Sequence, residues 1–133
     1  MSYQEINIRT KSRTELVDIT GQISRLVQES KATDGVLFLF VPHTTAAVTI
    51  NENADPSVQH DILTDLNRLV PLNAPYTHTE GNSAAHIKST LLGSSQTIFI
   101  QHGKLALGTW QGVYFCEFDG PRTRKVWVKI IPG

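Results

Sequence analysis

A chain of 133 residues with twelve basic and twelve acidic side chains, 40% hydrophobic and 18% charged, is sized for one domain spanning 1–133, long enough to build a core without metal or disulfide staples. Zero net charge argues against duplex nucleic acid as the main partner, which needs an excess of Lys and Arg to neutralise phosphates. The single cysteine, Cys116, forbids an internal disulfide, and its apolar run Gly112-Val113-Tyr114-Phe115-Cys116 reads as a buried thiol in a reducing compartment.

Met1-Ser2-Tyr3-Gln4-Glu5 has no charged region followed by an apolar stretch, and nowhere do roughly 18 apolar residues run together, so a cytoplasmic protein with no membrane partner is expected. Residues 5–9 and 15–20 mix polar and β-branched side chains, as strands with one solvated face do. Ile23, Leu26 and Val27 predict a helix over 22–30 with Thr20 as N-cap and Asp34-Gly35 at the exit. The run 36–41 is continuously apolar, closed by Pro42, and predicts a strand buried on both faces. His43-Thr44-Thr45 follows, then a strand over 46–50. Asp55 and Pro56 mark a helix start, a capping carboxylate before a proline whose missing N–H costs nothing in the first turn. On that helix Val58, Ile62, Leu66, Leu69 and Val70 share the core side, with His60 and Asp61 pointing away. Residues 71–82 form a long polar loop. Asn82 or Ser83 then caps a short helix ending at Gly93, its core face Ala84, Ile87 and Leu91, with His86 opposite. Residues 95–100, 113–117 and 125–131 read as three more strands. Elements in no regular β–α order predict an α+β fold, an antiparallel β-sandwich-like core with two or three helices packed on it. Glycine-rich phosphate loops, Gly-x-Ser-x-Gly elbows and Cys-x-x-Cys pairs are absent from the sequence.

Charge is uneven along the chain. Residues 32–87 carry Asp34, Glu52, Asp55, Asp61, Asp65 and Glu80 against Arg68 alone, with four of the five histidines; residues 88–133 carry six bases against Glu117 and Asp119. One part could hold a cation and the other an anion, the plain alternative being solvated charge. His43 follows a buried strand, His78 lies in the polar loop, and His86 stands near a helix N-terminus that disfavours imidazolium. Three neutral imidazoles with an open fourth position suit zinc or a similar divalent ion, with Asp55, Asp61 or Glu80 supporting the ligands or acting as base; each histidine also reads as a hydrogen-bonded structural group. His60 is expected to order its own helix and His102 to sit in an exposed turn. Lys88, Lys104 and Arg122 read either as solvated cations or as phosphate contacts. Trp110, within Thr109-Trp110-Gln111-Gly112, paves a pocket or interface, or is core.

His43-Thr44-Thr45-Ala46-Ala47, Asn51-Glu52-Asn53-Ala54-Asp55-Pro56, Glu80-Gly81-Asn82 with His86-Ile87-Lys88, and Gly108-Thr109-Trp110-Gln111-Gly112 together resemble the YjbQ-like family over nearly the whole chain. That resemblance implies a compact α+β fold, a homotrimer, and a weak, secondary thiamine-phosphate synthase activity that joins a pyrimidine methyl diphosphate to a thiazole phosphate and expels pyrophosphate. It makes His43, Asn51, Glu52, Asp55, His60, His78, Glu80, His86, Lys88, Trp110 and Gln111 motif positions. On this reading Asp55, Glu80 and His60 are catalytic, Asn51, Lys88, Trp110 and Gln111 bind the phosphorylated substrate, and His43, His78 and His86 hold a divalent metal, zinc or magnesium. Many relatives have Asp where this chain has Ala84; if that carboxylate acts in the chemistry, either this chain is weaker or a neighbour such as Glu80 substitutes for it. The rival expectation, from a different class, is a trimeric metal- or metabolite-binding protein without turnover.

Overall fold

Inward and outward side chains alternate along most strands, and this alternation sets the layers. In the computed structural model, which describes residues 3–133, the order is β1 (Gln4–Arg9), β2 (Glu15–Asp18), α1 (Thr20–Ser30), β3 (Gly35–Phe40), β4 (Ala46–Glu52), α2 (Pro56–Leu69), α3 (Ser83–Leu92), β5 (Ser95–Gln101), β6 (Lys104–Leu105), β7 (Gln111–Glu117) and β8 (Thr123–Pro132). Met1 and Ser2, part of the amino-terminal stretch considered above, lie outside the described residues. Two antiparallel sheets result, one ordered β1-β8-β3-β5-β6 and one ordered β2-β7-β4. The fold is α+β.

Between the sheets lies the main core. Ile6, Ile8, Leu37, Leu39, Ile98, Ile100, Val126 and Val128 of the larger sheet meet Ala46, Val48, Val113 and Phe115 of the smaller one, and α1 adds Ile23 and Val27. The other face of the smaller sheet is covered by helices, where Ala47, Cys116 and Phe118 pack with Ala85 of α3, Leu66 of α2 and Leu92. Cys116 is buried, as expected.

The outer face of the larger sheet is different. β3 was expected to be buried on both faces, but Phe38 and Phe40 are 41% and 45% exposed. An unbroken apolar run has no period from which to read its partners, and here alternate residues face outward. Cross-strand register places Phe40 beside Trp127 and Val36 beside Phe99 and Ile131. Tyr3 and Phe40 stack on the Trp127 ring at centroid distances of 4.5 and 5.8 Å.

Three local expectations also need correction. Thr20 begins α1 instead of capping it: its hydroxyl donates to Asp18 Oδ1 and accepts from the Val113 N–H. The buried face of α3 is Ala84, Ala85, Lys88 and Ser89, whereas Ile87 and Leu91 are exposed. Small side chains let this helix approach the sheet closely, so the large apolar residues are turned outward. Leu69, placed on the core side of α2, is 64% exposed at the end of that helix. The α2 start is as expected, with Asp55 accepting from the Ser57 N–H at 3.0 Å and Pro56 following it.

Candidate functional site

The smaller sheet fixes where the motif residues fall. β4 and β7 pair from Ala46 opposite Glu117 to Glu52 opposite Gln111, and at about 3.3 Å per residue that ladder is roughly 20 Å long. The motif positions divide between its two ends.

At the Glu52 end, Asn51, Glu52, Trp110 and Gln111 come together. Asn51 Oδ1 accepts from the Glu52 N–H, Gln111 Oε1 accepts from the Gly108 N–H, and the Asn53 N–H donates to the Trp110 carbonyl. A Cβ on Gly112 would collide with the Asn53 side chain, which accounts for glycine in that motif. The Trp110 side chain is 62% exposed, so it is not core. Asp55 caps α2 and His60 lies on it, both exposed. The Asp55 carboxyl is held below its ordinary value by the Ser57 N–H and hydroxyl, which is the electrostatic mark of a cap.

At the Ala46 end stand the histidines. His43 Nε2 accepts from the Lys125 N–H at 3.0 Å, which places the ring proton of the neutral imidazole on Nδ1. Burial lowers the His43 pKa and the nearby Arg124 guanidinium lowers it further. His43 and His86 line one groove of about 400 Å³. His86 also meets His78 edge to face, centroids 5.6 Å apart, and Glu80 lies 4.0 Å from His78. Joint metal ligation fits poorly. Among the described residues no three His, Cys, Asp or Glu side chains are placed to hold a metal ion within the chain, and His43 has already committed one nitrogen.

Beside the histidines is the more telling feature, a cavity of about 350 Å³ walled by α2, α3, the β1–β2 loop and the β7–β8 turn. Lys88 lines it and is only 4% exposed. Its ammonium donates to Asn67 Oδ1 at 2.5 Å and lies 5.9 Å from the centre of the Phe118 ring. Among the described residues no carboxylate forms an ion pair with it, and burial lowers its pKa. Arg13, more than half exposed, stands at the cavity with its guanidinium 3.9 Å from Asp119. Asp119 is shared: Arg122 reaches it at 3.2 Å and Asn82 Nδ2 at 3.0 Å. Ala84 also lines the cavity, one helical turn before Lys88, so an Asp at this position would bring a carboxylate to the lysine.

A buried ion pair supports both the histidine loop and the cavity. Arg124 donates through Nε to Glu117 Oε1 at 2.8 Å and through Nη2 to Glu117 Oε2 and to the Thr45 hydroxyl. Thr10 and the Asp119 N–H complete the Glu117 carboxylate at 2.8 and 2.9 Å. Burial would raise the Glu117 pKa, but Arg124 and these donors outweigh it and hold it below the ordinary value. Sequence reading singled out neither residue of this pair, nor Asn67 and Arg13; Asn67 and Arg13 lie far along the chain from Lys88 and Asp119, and Glu117 and Arg124, seven residues apart, also reach Thr10 and Thr45 at long range. Lys104 and Arg122, read as possible phosphate contacts, are exposed, as is His102.

Residues 4–133 match the family model described as UPF0047 protein YjbQ-like. The chain belongs to the YjbQ-like family. A UPF0047 protein of Methanocaldococcus jannaschii is 61% identical over 93% of this chain and 90% of its own, and YugU of Bacillus subtilis is 47% identical over 95% and 96%. Among solved structures, a YjbQ-like protein from Clostridium acetobutylicum is 55% identical, superposes with a TM-score of 0.94, and is covered over 99% of its chain and 96% of this one. A YjbQ-like protein of unknown function from Sulfolobus solfataricus superposes equally well, TM-score 0.94, at 34% identity, with 98% of this chain and 96% of that one covered.

Proposed function

We propose that this YjbQ-like protein is a transferase for small phosphorylated metabolites, of the secondary thiamine-phosphate synthase type. In that reaction the thiazole nitrogen attacks the methylene carbon of a pyrimidine methyl diphosphate; the C–N bond forms, the C–O bond breaks, and its electron pair leaves with pyrophosphate. The observation that carries the reading is Lys88, a buried cation on a cavity wall to which no carboxylate is paired among the described residues. Such a charge is costly to hold unless an anion joins it, and a departing pyrophosphate is the group that a fixed ammonium stabilises. Arg13 adds charge at the same cavity.

The reading includes a homotrimer. It is supported by the uncovered aromatic face of the larger sheet and by the division of the motif residues between two ends of one ladder, which a second copy would reunite. Light scattering of the purified protein should give three times the chain mass, and a stable monomer at micromolar concentration removes this part.

The test of the activity is an assay with the two phosphorylated precursors, following pyrophosphate release. Turnover by the wild type, and its loss in Lys88→Met, is the expected result. Tight binding of the precursors without product would instead assign the protein to non-catalytic metabolite binding.

A further inference from the structure

Trp110 is an exposed aromatic on a rigid support. Its turn is closed twice, the Gln111 N–H donating to the Gly108 carbonyl at 3.1 Å and the Gly108 N–H to Gln111 Oε1 at 2.8 Å, and the Asn53 N–H holds the Trp110 carbonyl at 2.9 Å. A large exposed indole on a backbone fixed in this way loses little freedom on docking, the property of an interface anchor. Toward the other end of the β4–β7 ladder is a hollow of about 440 Å³ walled by Tyr76, His78, His86 and Ile87, and His86 also lines the groove of His43. Exposed apolar side chains adjoin this end, Leu91 on α3 and Phe40 on the larger sheet, just before His43. The two ends differ in charge as well. Burial and then the carboxylates of Asp18 and Glu52 raise the Tyr114 pKa, whereas burial and then the guanidinium groups of Arg124 and Arg122, against the Glu117 carboxylate, lower that of His43. A negative end and a positive end favour head-to-tail contact over head-to-head contact.

From these two surfaces we infer that a second copy of this chain occupies the hollow: Trp110 of the partner subunit inserts beside His86, and each site is assembled across a subunit boundary. His43, His78 and His86 come from one copy, and Gln111 of the partner subunit and Glu52 of the partner subunit complete the site. Within a single chain the two groups stand at opposite ends of a ladder roughly 20 Å long, too far apart to share one small substrate. A contact between unlike surfaces leaves one Trp110 and one hollow unfilled in any open assembly, and only a closed ring satisfies every copy. The inference rests on the homotrimer proposed above and adds which residues each copy lends to the next.

The test uses the full chain and thiol crosslinking. Thr77→Cys puts a thiol at the hollow and Thr109→Cys puts one beside Trp110; both positions are exposed, and the native Cys116 is buried. Treated with a short flexible bismaleimide, the double variant should run on denaturing gels at two and three times the chain mass, and each single variant at the chain mass. A double variant that stays at the chain mass, or single variants that link as strongly, overturn the inference. Trp110→Ala should raise the concentration at which the assembly dissociates by at least about tenfold, as loss of a central aromatic anchor does, and an unchanged dissociation counts against it. For the shared site, Gln111→Ala and His86→Ala chains, each inactive alone, should recover turnover when co-expressed, because some boundaries then carry both intact halves. The outcomes are separable: crosslinking without turnover in the wild type leaves the shared boundary standing and removes the transferase reading, and wild-type turnover with no recovery in the mixture does the reverse, confining the site to one chain.

Discussion

Lys88 is held where its charge is least favourable, and two consequences can be measured. Burial disfavours the ammonium, so Lys88→Met, which keeps an unbranched chain one atom shorter and removes the charge, should raise stability in chemical denaturation by on the order of 1 kcal/mol while abolishing binding of phosphate compounds. A destabilised variant would mean that the Asn67 contact outweighs the burial cost. His43 is a second perturbed group. Its pKa is lowered in the folded chain, so the unfolded chain takes up a proton first as pH falls. The stabilisation is complete above the ordinary value of about 6.5 and is lost as pH drops through the lower folded value, with a slope of at most about 1.4 kcal/mol per pH unit. His43→Gln should lack this slope; identical pH profiles for the two proteins would place the acid sensitivity elsewhere.

At the scale of elements, Asp55 separates two roles. As a cap it accepts from Ser57, and Asn caps nearly as well as Asp. Asp55→Asn should melt close to the wild type and Asp55→Ala lower, with activity retained in the Asn variant; lost turnover at normal melting would show instead that the carboxylate is needed for its charge or its proton. The α2 boundary was legible because Asp-Pro is a local signal whose physics lies within three residues. The face of α3 was not legible, because Ala84 and Ala85 are buried for closeness to β4 and Lys88 for its place in a cavity, and neither reason appears in an apolar periodicity. β3 shows the same limit, since its outward Phe38 and Phe40 are as apolar as its inward Leu37 and Leu39. Motif membership in the site was visible as short strings, but their division between two ends of β4 and β7 emerges only from strand pairing.

Considered as a whole molecule, the protein has one thiol with which to report on its cooperativity. Cys116 lies against α3 and α2, and burial pushes its pKa up to about 12. Alkylation at neutral pH should therefore be negligible in the native state and proceed at the rate at which the smaller sheet opens. Fast labelling of folded protein would reveal that α3 detaches on its own. Comparing that rate with loss of the main core would tell whether the two sheets unfold together.

The position of β8 has a consequence for synthesis. This strand joins β1 on one side to β3 on the other, so the interior of the larger sheet is supplied by the part of the domain translated last. Until residues 123–132 leave the ribosome, Ile6, Ile8, Leu37 and Leu39 have no strand between them, and the nascent chain carries two unpaired edges. Helices and the β4 strand can form earlier, but the domain closes only on release of its final strand. A ribosome stalled within β8 would thus display an open, apolar half-sheet, the form of this chain most in need of a chaperone.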